Sequence, residues 1–288
     1  MSGGNALARP AARLARLLSA LVLFGLSAGS STLAPAMVGG ELRVCADSDS
    51  LPFSNAKGEG FENKLVDLIA SKFGMHLVYT WLPHVTGHSS VMPDSTDCDI
   101  LMGYAQGAGL IEDTNPYYRT SYVLLHRRDD RSLAGIESLA DPRLKQKIIG
   151  IVARTPPASI MAVNGLISNA RPFESDTDTG SGSSAVQIID AIASGEIDAG
   201  VLWGPVGGYY AQRSKVPLAV VPLVKETVGP APIYGITMGV RPNEPEWKHR
   251  LNKLIAENQA DINAMLSEYS VPLLDENGNL VSTPTAER

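Results

Sequence analysis

The most constraining feature of the sequence is an early change in the period of its apolar residues. Glu41–Ala46 alternates apolar and polar side chains, which is typical of a strand, and a helical repeat that ends at Gly74 follows. The members of that repeat are Phe61, Leu65, Leu68, Ile69 and Phe73. Met75–Trp81 and Asp99–Gly103 return to strand patterns. Strand, helix, strand and strand predict the start of a parallel α/β sheet.

The same alternation restarts after the charged stretch Arg127–Arg131. The predicted elements there are strands at Lys147–Val152 and Ala199–Trp203 and helices at Pro156–Ile167 and Ala185–Ala193. Ile233–Val240 then returns the chain to the first part. The predicted fold class is therefore α/β, with two lobes joined by two crossover segments around a cleft. The first lobe is expected at residues 37–126 plus 225–288 and the second at 127–224.

The N-terminal segment has the features of a secretory signal peptide. Three arginines precede the apolar run Leu17–Leu26, and the small residues at Ala34–Ala36 resemble the Ala-x-Ala cleavage site of a signal peptide. The run is shorter than the ~20 residues that a membrane-spanning helix needs. We therefore predict export with cleavage after residue 36, and no stable membrane insertion afterwards. Cleavage at Ala28 and an uncleaved membrane anchor are the alternatives.

Charge and composition exclude several classes of protein. With 44% hydrophobic and 19% charged residues, the chain is globular in composition rather than disordered. The net charge of −6 becomes −9 when the three arginines of residues 1–36, a segment without acids, are removed. An acidic chain is not a general nucleic-acid binder, which needs a basic surface, and it favours a cationic partner.

The two cysteines are expected to pair. In an oxidising compartment Cys45 and Cys98 favour a disulfide. Neighbouring strands lie ~4.8 Å apart and a disulfide needs Cα atoms ~4.4–6.8 Å apart, so adjacent strands carrying these residues would permit the bridge. Two unrelated buried thiols are the alternative. The pair lacks the spacing of a metal site.

Catalytic motifs are missing from the sequence. It has no Gly-x-Ser-x-Gly elbow, no His-Glu-x-x-His, no P-loop and no Gly-x-Gly-x-x-Gly. We therefore predict a protein that is not an enzyme and that has no metal site. An acid–base pair assembled in space from distant residues is the alternative.

Short segments spread over the chain carry a resemblance to a known family. They are Leu42–Ala46, Leu51–Asn55, Gly60–Lys64, Cys98–Ile100, Pro116–Tyr122, Asp198–Gly200 with Trp203–Pro205, and Tyr269–Leu274. In these segments the chain resembles type II periplasmic solute-binding proteins of family 3. More narrowly, it resembles the J proteins of methanol oxidation systems (MxaJ and XoxJ), which accompany PQQ-dependent methanol dehydrogenases. The resemblance covers residues 41–274.

This resemblance implies a periplasmic-binding-protein type II fold and a periplasmic location. It also implies a non-catalytic accessory role, in which the chain assists or activates a PQQ-dependent methanol or alcohol dehydrogenase as its partner. The chain itself is expected to hold no cofactor. The alternative function is that of the substrate-binding component of an ABC transporter for a small polar solute.

One departure from the family concerns the ligand clamp. Amino-acid receptors of this kind usually carry an arginine before the Pro116-Tyr117 segment, where it binds the ligand carboxylate. Here the corresponding stretch, Gly103–Asn115, contains no Arg or Lys, so a bidentate clamp is missing from its usual place. Arg119, the nearest cation to the expected cleft, is assigned to a structural ion pair.

The loop after the first strand is expected to face the cleft. Asp47 and Asp49 place two acids at its rim, which suits a cation, although one pair does not make a metal site. Solvated loop acids are the alternative. Phe53 in the same loop either stacks on a ligand or partner group or fills the core of the first lobe.

Three further candidates follow other predicted strands. Tyr104 and Trp203 are expected to form opposite walls of the cleft. Thr155 precedes the helix at Pro156, and the family resemblance places it in the lining of the cleft. Backbone N–H groups at a helix start bind anions, but Pro156 and Pro157 remove two of them. Capping of the helix by the threonine hydroxyl is the alternative.

Overall fold

The fold is taken from a computed structural model of the chain. It describes residues 40–82, 98–107, 111–174, 183–229 and 231–281. The predicted signal peptide lies outside these residues. No helix in the described ranges is both long and apolar enough to cross a membrane.

Strands and helices alternate along the described chain. The strands are β1 (Glu41–Ala46), β2 (Asp49–Ser50), β3 (Ser54–Asn55), β4 (His76–Trp81), β5 (Ile100–Ala105), β6 (Glu112–Asp113), β7 (Tyr118–Thr120), β8 (Tyr122–Arg127), β9 (Ile149–Val152), β10 (Ala170–Phe173), β11 (Ala199–Trp203), β12 (Leu218–Pro222) and β13 (Tyr234–Val240). The helices are α1 (Phe61–Phe73), α2 (Pro156–Val163), α3 (Ser184–Ser194), α4 (Gly204–Ala211), α5 (Pro245–Glu257) and α6 (Gln259–Glu268). Short 3₁₀ helices lie at Arg131–Leu133, Pro142–Gln146 and Ile167–Asn169.

The first sheet has the strand order β4-β1-β5-β13-β6, and β7 also pairs with β13. β1 is parallel to both β4 and β5, whereas β13 runs antiparallel to β5. The predicted parallel start of the sheet is therefore confirmed. Apolar residues of α1, α5 and α6 pack with one face of this sheet in a single core cluster.

Helix α1 begins and ends as its sequence predicts. The side-chain oxygen of Asn63 accepts hydrogen bonds from the backbone N–H groups of Gly60 and Asn55, both at 3.0 Å, which ties the preceding loop to the first turn. Gly74 closes the helix at a φ of 63°, a left-handed conformation that favours glycine. This confirms the predicted end of the helix.

The second sheet has the order β10-β9-β11-β8-β12. Both of its faces are covered by apolar clusters, one including Leu133 and Ile136 and the other including Ile188 and Ile192 of α3. β8 pairs between β11 and β12, although the first lobe was expected to run to residue 126. We therefore propose that the first crossover lies at Ser121.

Two names follow from these sheets. We call residues 37–120 and 230–288 the first region, because their described part carries the first sheet, and residues 121–229 the second region.

The predicted disulfide is confirmed. Cys45 of β1 is bonded to Cys98, and their Cα atoms lie 5.6 Å apart. The bridge forms because β5, which begins just after Cys98, pairs directly with β1. It packs with Leu101 and Tyr104 on the face of the first sheet opposite to α1, since alternate residues of a strand point to opposite faces.

Candidate functional site

The carboxyl ends of strands from both sheets approach the crossover. β5 ends at Ala105, and the next N–H group, of Gln106, donates to the carbonyl of Gly235 at 2.9 Å. β11 ends at Trp203, which pairs with Tyr122 at the start of β8. Ligands of α/β sheets bind at such carboxyl ends. The crossover is therefore the candidate functional site.

Three aromatic rings join the two regions at this point. Trp203 packs edge-to-face on Tyr122 and on Tyr234, with ring centroids 5.1 Å apart in both pairs, and the two tyrosine rings are 6.0 Å apart. We call these residues the junction aromatics. Burial raises the pKa of both tyrosine hydroxyls above the ordinary value, so they stay protonated. Trp203 and Tyr234 are half-buried.

Helix α4 packs closely on the first region. A Cβ atom at Gly208 would overlap the carbonyl oxygen of Ser270, and one at Gly204 would overlap the hydroxyl oxygen of Thr120. Cγ of Pro272 would lie only 2.9 Å from the same added Cβ atom at Gly204. The Trp203-Gly204-Pro205 segment therefore lies at the contact between the regions, and its glycine permits that contact.

The two predicted rim acids belong to one turn. The carboxylate of Asp47 accepts a hydrogen bond from the N–H of Asp49 at 2.9 Å, and the Asp47 carbonyl accepts one from the Ser54 hydroxyl at 2.7 Å. Asp47 is buried and Asp49 is exposed. Within the ranges that the structure describes, no three His, Cys, Asp or Glu side chains cluster as metal ligands.

Phe53 and Tyr104 both lie in the first region. Phe53 is half-buried and packs edge-to-face on Phe61, with centroids 5.4 Å apart, at the margin of the core. Tyr104 is 5% exposed and lies beside the disulfide. Gly103, at a φ of 70°, interrupts the alternation of β5 and so brings Tyr104 to that face. A role for either ring in the cleft remains a proposal.

Thr155 uses its hydroxyl within its own turn. Oγ1 donates to the carbonyl of Val152 at 2.7 Å and makes no capping bond to α2. The helix then begins with Pro156 and Pro157, which supply no N–H groups. The start of α2 thus offers little to an anion.

Glu62 is a buried ionisable residue that the sequence analysis missed. It is 6% exposed and accepts a hydrogen bond from the Tyr117 hydroxyl at 3.4 Å. Burial raises the pKa of Glu62 from 4.5 to about 8, against the opposing effect of the Tyr117 hydrogen bond. Its spacing from Val66 and Ile69, four and seven residues on, was a signal that it shares their buried face.

Other proteins match nearly the whole described chain. No known family model matches it. Protein MoxJ of Paracoccus denitrificans is 27% identical over an alignment of 248 residues that covers 81% of this chain and 89% of that protein. The crystal structure of MxaJ from Methlophaga aminisulfidivorans MPT has a TM-score of 0.69 at 23% identity, over 81% of this chain and 100% of that one. This second match concerns the fold alone.

The crystal structure of the periplasmic binding protein XoxJ from Methylobacterium extorquens AM1 is the match that identifies the family. It is 38% identical, has a TM-score of 0.67, and is matched over 82% of this chain and 100% of its own. The expected periplasmic-binding-protein type II fold is thereby confirmed, as is the resemblance to the J proteins. The chain belongs to the family of periplasmic binding proteins that includes XoxJ.

Proposed function

We propose that this chain is a periplasmic, non-catalytic accessory protein that assists or activates a PQQ-dependent methanol or alcohol dehydrogenase. The relationship to XoxJ, at 38% identity over 82% of the chain, carries the proposal. The predicted signal peptide at residues 1–36 supports export to the periplasm. The dehydrogenase, not this chain, would hold the PQQ.

The ion pairs of the first region support a role other than amino-acid reception. Arg43 pairs with Asp99 and Arg119 pairs with Glu276, each at 2.9 Å. The assignment of Arg119 to a structural ion pair agrees with this contact. Both arginines of residues 40–120 thus have carboxylates of the chain itself as partners, which leaves neither as an obvious clamp for a ligand carboxylate.

The position of Glu62 supports a non-catalytic role. A carboxyl with a raised pKa is often a general acid or base, but this one lies inside the first core under Tyr117 and is almost fully shielded from solvent. A reacting group needs to come within hydrogen-bond reach of such a residue. The surroundings of Glu62 are those of a core residue.

The experiment is a pull-down from periplasmic extract combined with a gene deletion. The tagged mature chain should recover a PQQ-dependent dehydrogenase, and an equally tagged solute receptor of the same fold, as control, should not. Deletion should lower dehydrogenase activity, and the wild-type chain should restore it. Failure to recover any quinoprotein dehydrogenase, together with unchanged activity in the deletion strain, would contradict the proposal.

A receptor for a small polar solute is the second candidate. The observation in its favour is the approach of β5 and β11 to one crossover, the geometry in which such receptors bind solutes. It predicts one-to-one heat of binding in calorimetry, with closure of the two regions in small-angle scattering. Trp203→Ala should weaken that binding. Absence of both heat and closure across a panel of polar solutes would exclude this candidate.

A further inference from the structure

A groove away from the junction aromatics lies between the two regions. Its volume is about 520 Å³. One wall is the carboxyl-terminal end of α4, a second is the turn at residues 214–217 with the start of β12, and Ser270 and Pro272 of the first region complete it. Small-molecule sites typically measure about 300–1,000 Å³. The groove therefore has the size for a small organic ligand.

Two cations line this groove without acidic partners. Neither Arg128 nor Lys215 forms an ion pair in the part of the chain that the structure describes. Arg128 donates from Nη2 to the carbonyl of Leu218 at 3.3 Å, which holds its guanidinium beside the groove and leaves its other N–H groups for a ligand.

Elsewhere in the second region, six of nine cations have carboxylate partners, whereas Arg131, Lys145 and Arg213, which do not line the groove, have none among the described residues. The pairs are Arg127 with Asp129, Arg143 with Asp141, Lys147 with Asp130 and Asp198, Arg154 with Glu174, Arg171 with Glu196, and Lys225 with Glu137. The groove thus concentrates positive charge that the protein itself does not neutralise. Such a concentration attracts an anion.

The remainder of the lining combines carbon surface with hydrogen-bonding groups. Val216, Pro217 and Val220 supply half-buried or exposed carbon surface, while Gln212 and Ser270 add hydrogen-bonding groups. Inorganic phosphate or sulfate would gain nothing from the carbon surface. An anion with a hydrocarbon frame would gain from both parts of the lining, because apolar contact and charge-assisted hydrogen bonds then act together.

We propose that this groove binds a small organic anion with at least two carboxylates. The carboxylates contact Arg128 and Lys215, and the carbon frame lies on Val216 and Val220. Since Ser270, which also lines the groove, belongs to the first region and the other four residues to the second, a ligand that fills the groove contacts both regions at once. This site is separate from the junction aromatics and does not depend on the proposed accessory role.

The test is calorimetry of the full mature chain with citrate, succinate and glutarate as probes, and with inorganic phosphate as the comparison. At least one of the three carboxylates should bind one-to-one and more weakly as salt is added. Arg128→Gln and Lys215→Gln should each weaken that binding about tenfold or more, since each removes a charge-assisted hydrogen bond. Arg128→Lys, which keeps the charge, should retain part of the affinity.

The matched controls are Arg131→Gln and Lys145→Gln. Both residues are exposed cations of the second region outside the groove, so neither change should alter affinity. Thermal melting of each variant checks folding. Because the side chain of Lys215 is exposed, its replacement by glutamine should leave the fold intact. The proposal is overturned by any of three results: no carboxylate binding at millimolar concentration, binding that survives the double Arg128→Gln/Lys215→Gln change, or phosphate binding as tight as that of the carboxylates.

Discussion

The two regions keep their sheets together by different means. Among the described residues, the buried polar side chains of the first region are Asp47, Ser54, Asn55, Glu62, Asn63, Thr114, Thr120, Thr237 and Asn258. Those of the second region are Ser121, His126 and Ser184. The disulfide also belongs to the first region, whereas apolar clusters cover both faces of the second sheet. Stability of the first region should therefore respond to reductant, whereas that of the second should not, and the buried carboxyl of Glu62 adds a dependence on pH to the first region.

The two regions also differ in net charge. The first region contains 10 Lys and Arg against 19 Asp and Glu, and the second contains 11 of each. The net charge of −9 expected for the exported chain thus belongs to the first region. A cationic partner surface would be attracted there rather than to the second region.

Loss of the disulfide should have the largest effect. Replacing Cys45 and Cys98 together by alanine should lower the free energy of unfolding by about 2–5 kcal/mol, because the unfolded chain regains the freedom that the bridge removes. Urea unfolding measures the change. Reductant should destabilise the wild type by a similar amount and leave the double variant unaffected. Equal stability of the two proteins without reductant would remove the redox side of the comparison.

A cavity in the second sheet should lower the free energy of unfolding by nearly as much, but the loss should not depend on pH or reductant. Leu124 of β8 is fully buried, and Leu124→Ala should lower the free energy of unfolding by about 2–5 kcal/mol through lost packing. Urea unfolding at pH 5 and pH 8, with and without reductant, should give one and the same loss. A loss that varied with pH or reductant would break the contrast between the regions.

Glu62→Gln should stabilise the protein at alkaline pH. In the wild type the pKa of Glu62 is about 8 in the folded state against 4.5 as its ordinary value. The neutral carboxyl therefore contributes stability that is complete below about pH 4.5 and is lost as the pH rises to about 8. At pH 8 the variant should exceed the wild type by roughly 1–3 kcal/mol, and near pH 4 the two should agree.

Urea unfolding from pH 4 to pH 9 measures this difference. The matched control is Glu257→Gln, because Glu257 is an exposed glutamate of α5. A Glu62→Gln variant that is less stable than the wild type at pH 8 would mean that the buried carboxylate is favourably solvated or paired.

Asp99→Asn should have the smallest effect, with the opposite dependence on pH. Burial alone would raise the pKa of Asp99, but hydrogen bonds from Arg43 and Arg241 outweigh it and lower the pKa. This stabilisation is present above the ordinary pKa and is lost as the pH falls. The variant should lose about 1–2 kcal/mol at pH 7 and converge on the wild type toward pH 2. Acid titration of unfolding measures this, and a constant difference would show that the effect is steric.

Local patterns were enough to predict many of the elements. The bounds expected for β1 and β11, Glu41–Ala46 and Ala199–Trp203, are those of the structure. The end of α1 at Gly74 also agrees. These features depend on the period of the apolar side chains and on the conformational freedom of glycine. Both are local properties that a short stretch of sequence shows. The disulfide needed one further assumption, that β1 and β5 are neighbours.

Other features depend on contacts between distant residues. Helix α4 was not predicted, because its glycines have low helix propensity. The close approach of the first region explains Gly204 and Gly208, and packing against Val123 of β8 explains Gly207. Tyr122 and Tyr234 were not linked to Trp203, because only the order of strands in both sheets brings the three rings together. The proposed crossover at Ser121 differs from the expected one after residue 126 because it too depends on the strand order, which pairs β8 with β11 and β12.

The insertion of one region into the other also determines when each can form. The second sheet is made from an uninterrupted stretch, β8 to β12, whereas the first sheet needs β13 between β5 and β6. As the chain emerges amino end first, every strand of the second sheet is available while the first still lacks a central one. Closing the first sheet then joins parts of the chain that are far apart, which is the slower kind of step. The first region, whose strands are the first to be synthesised, is thus the region whose sheet is completed last.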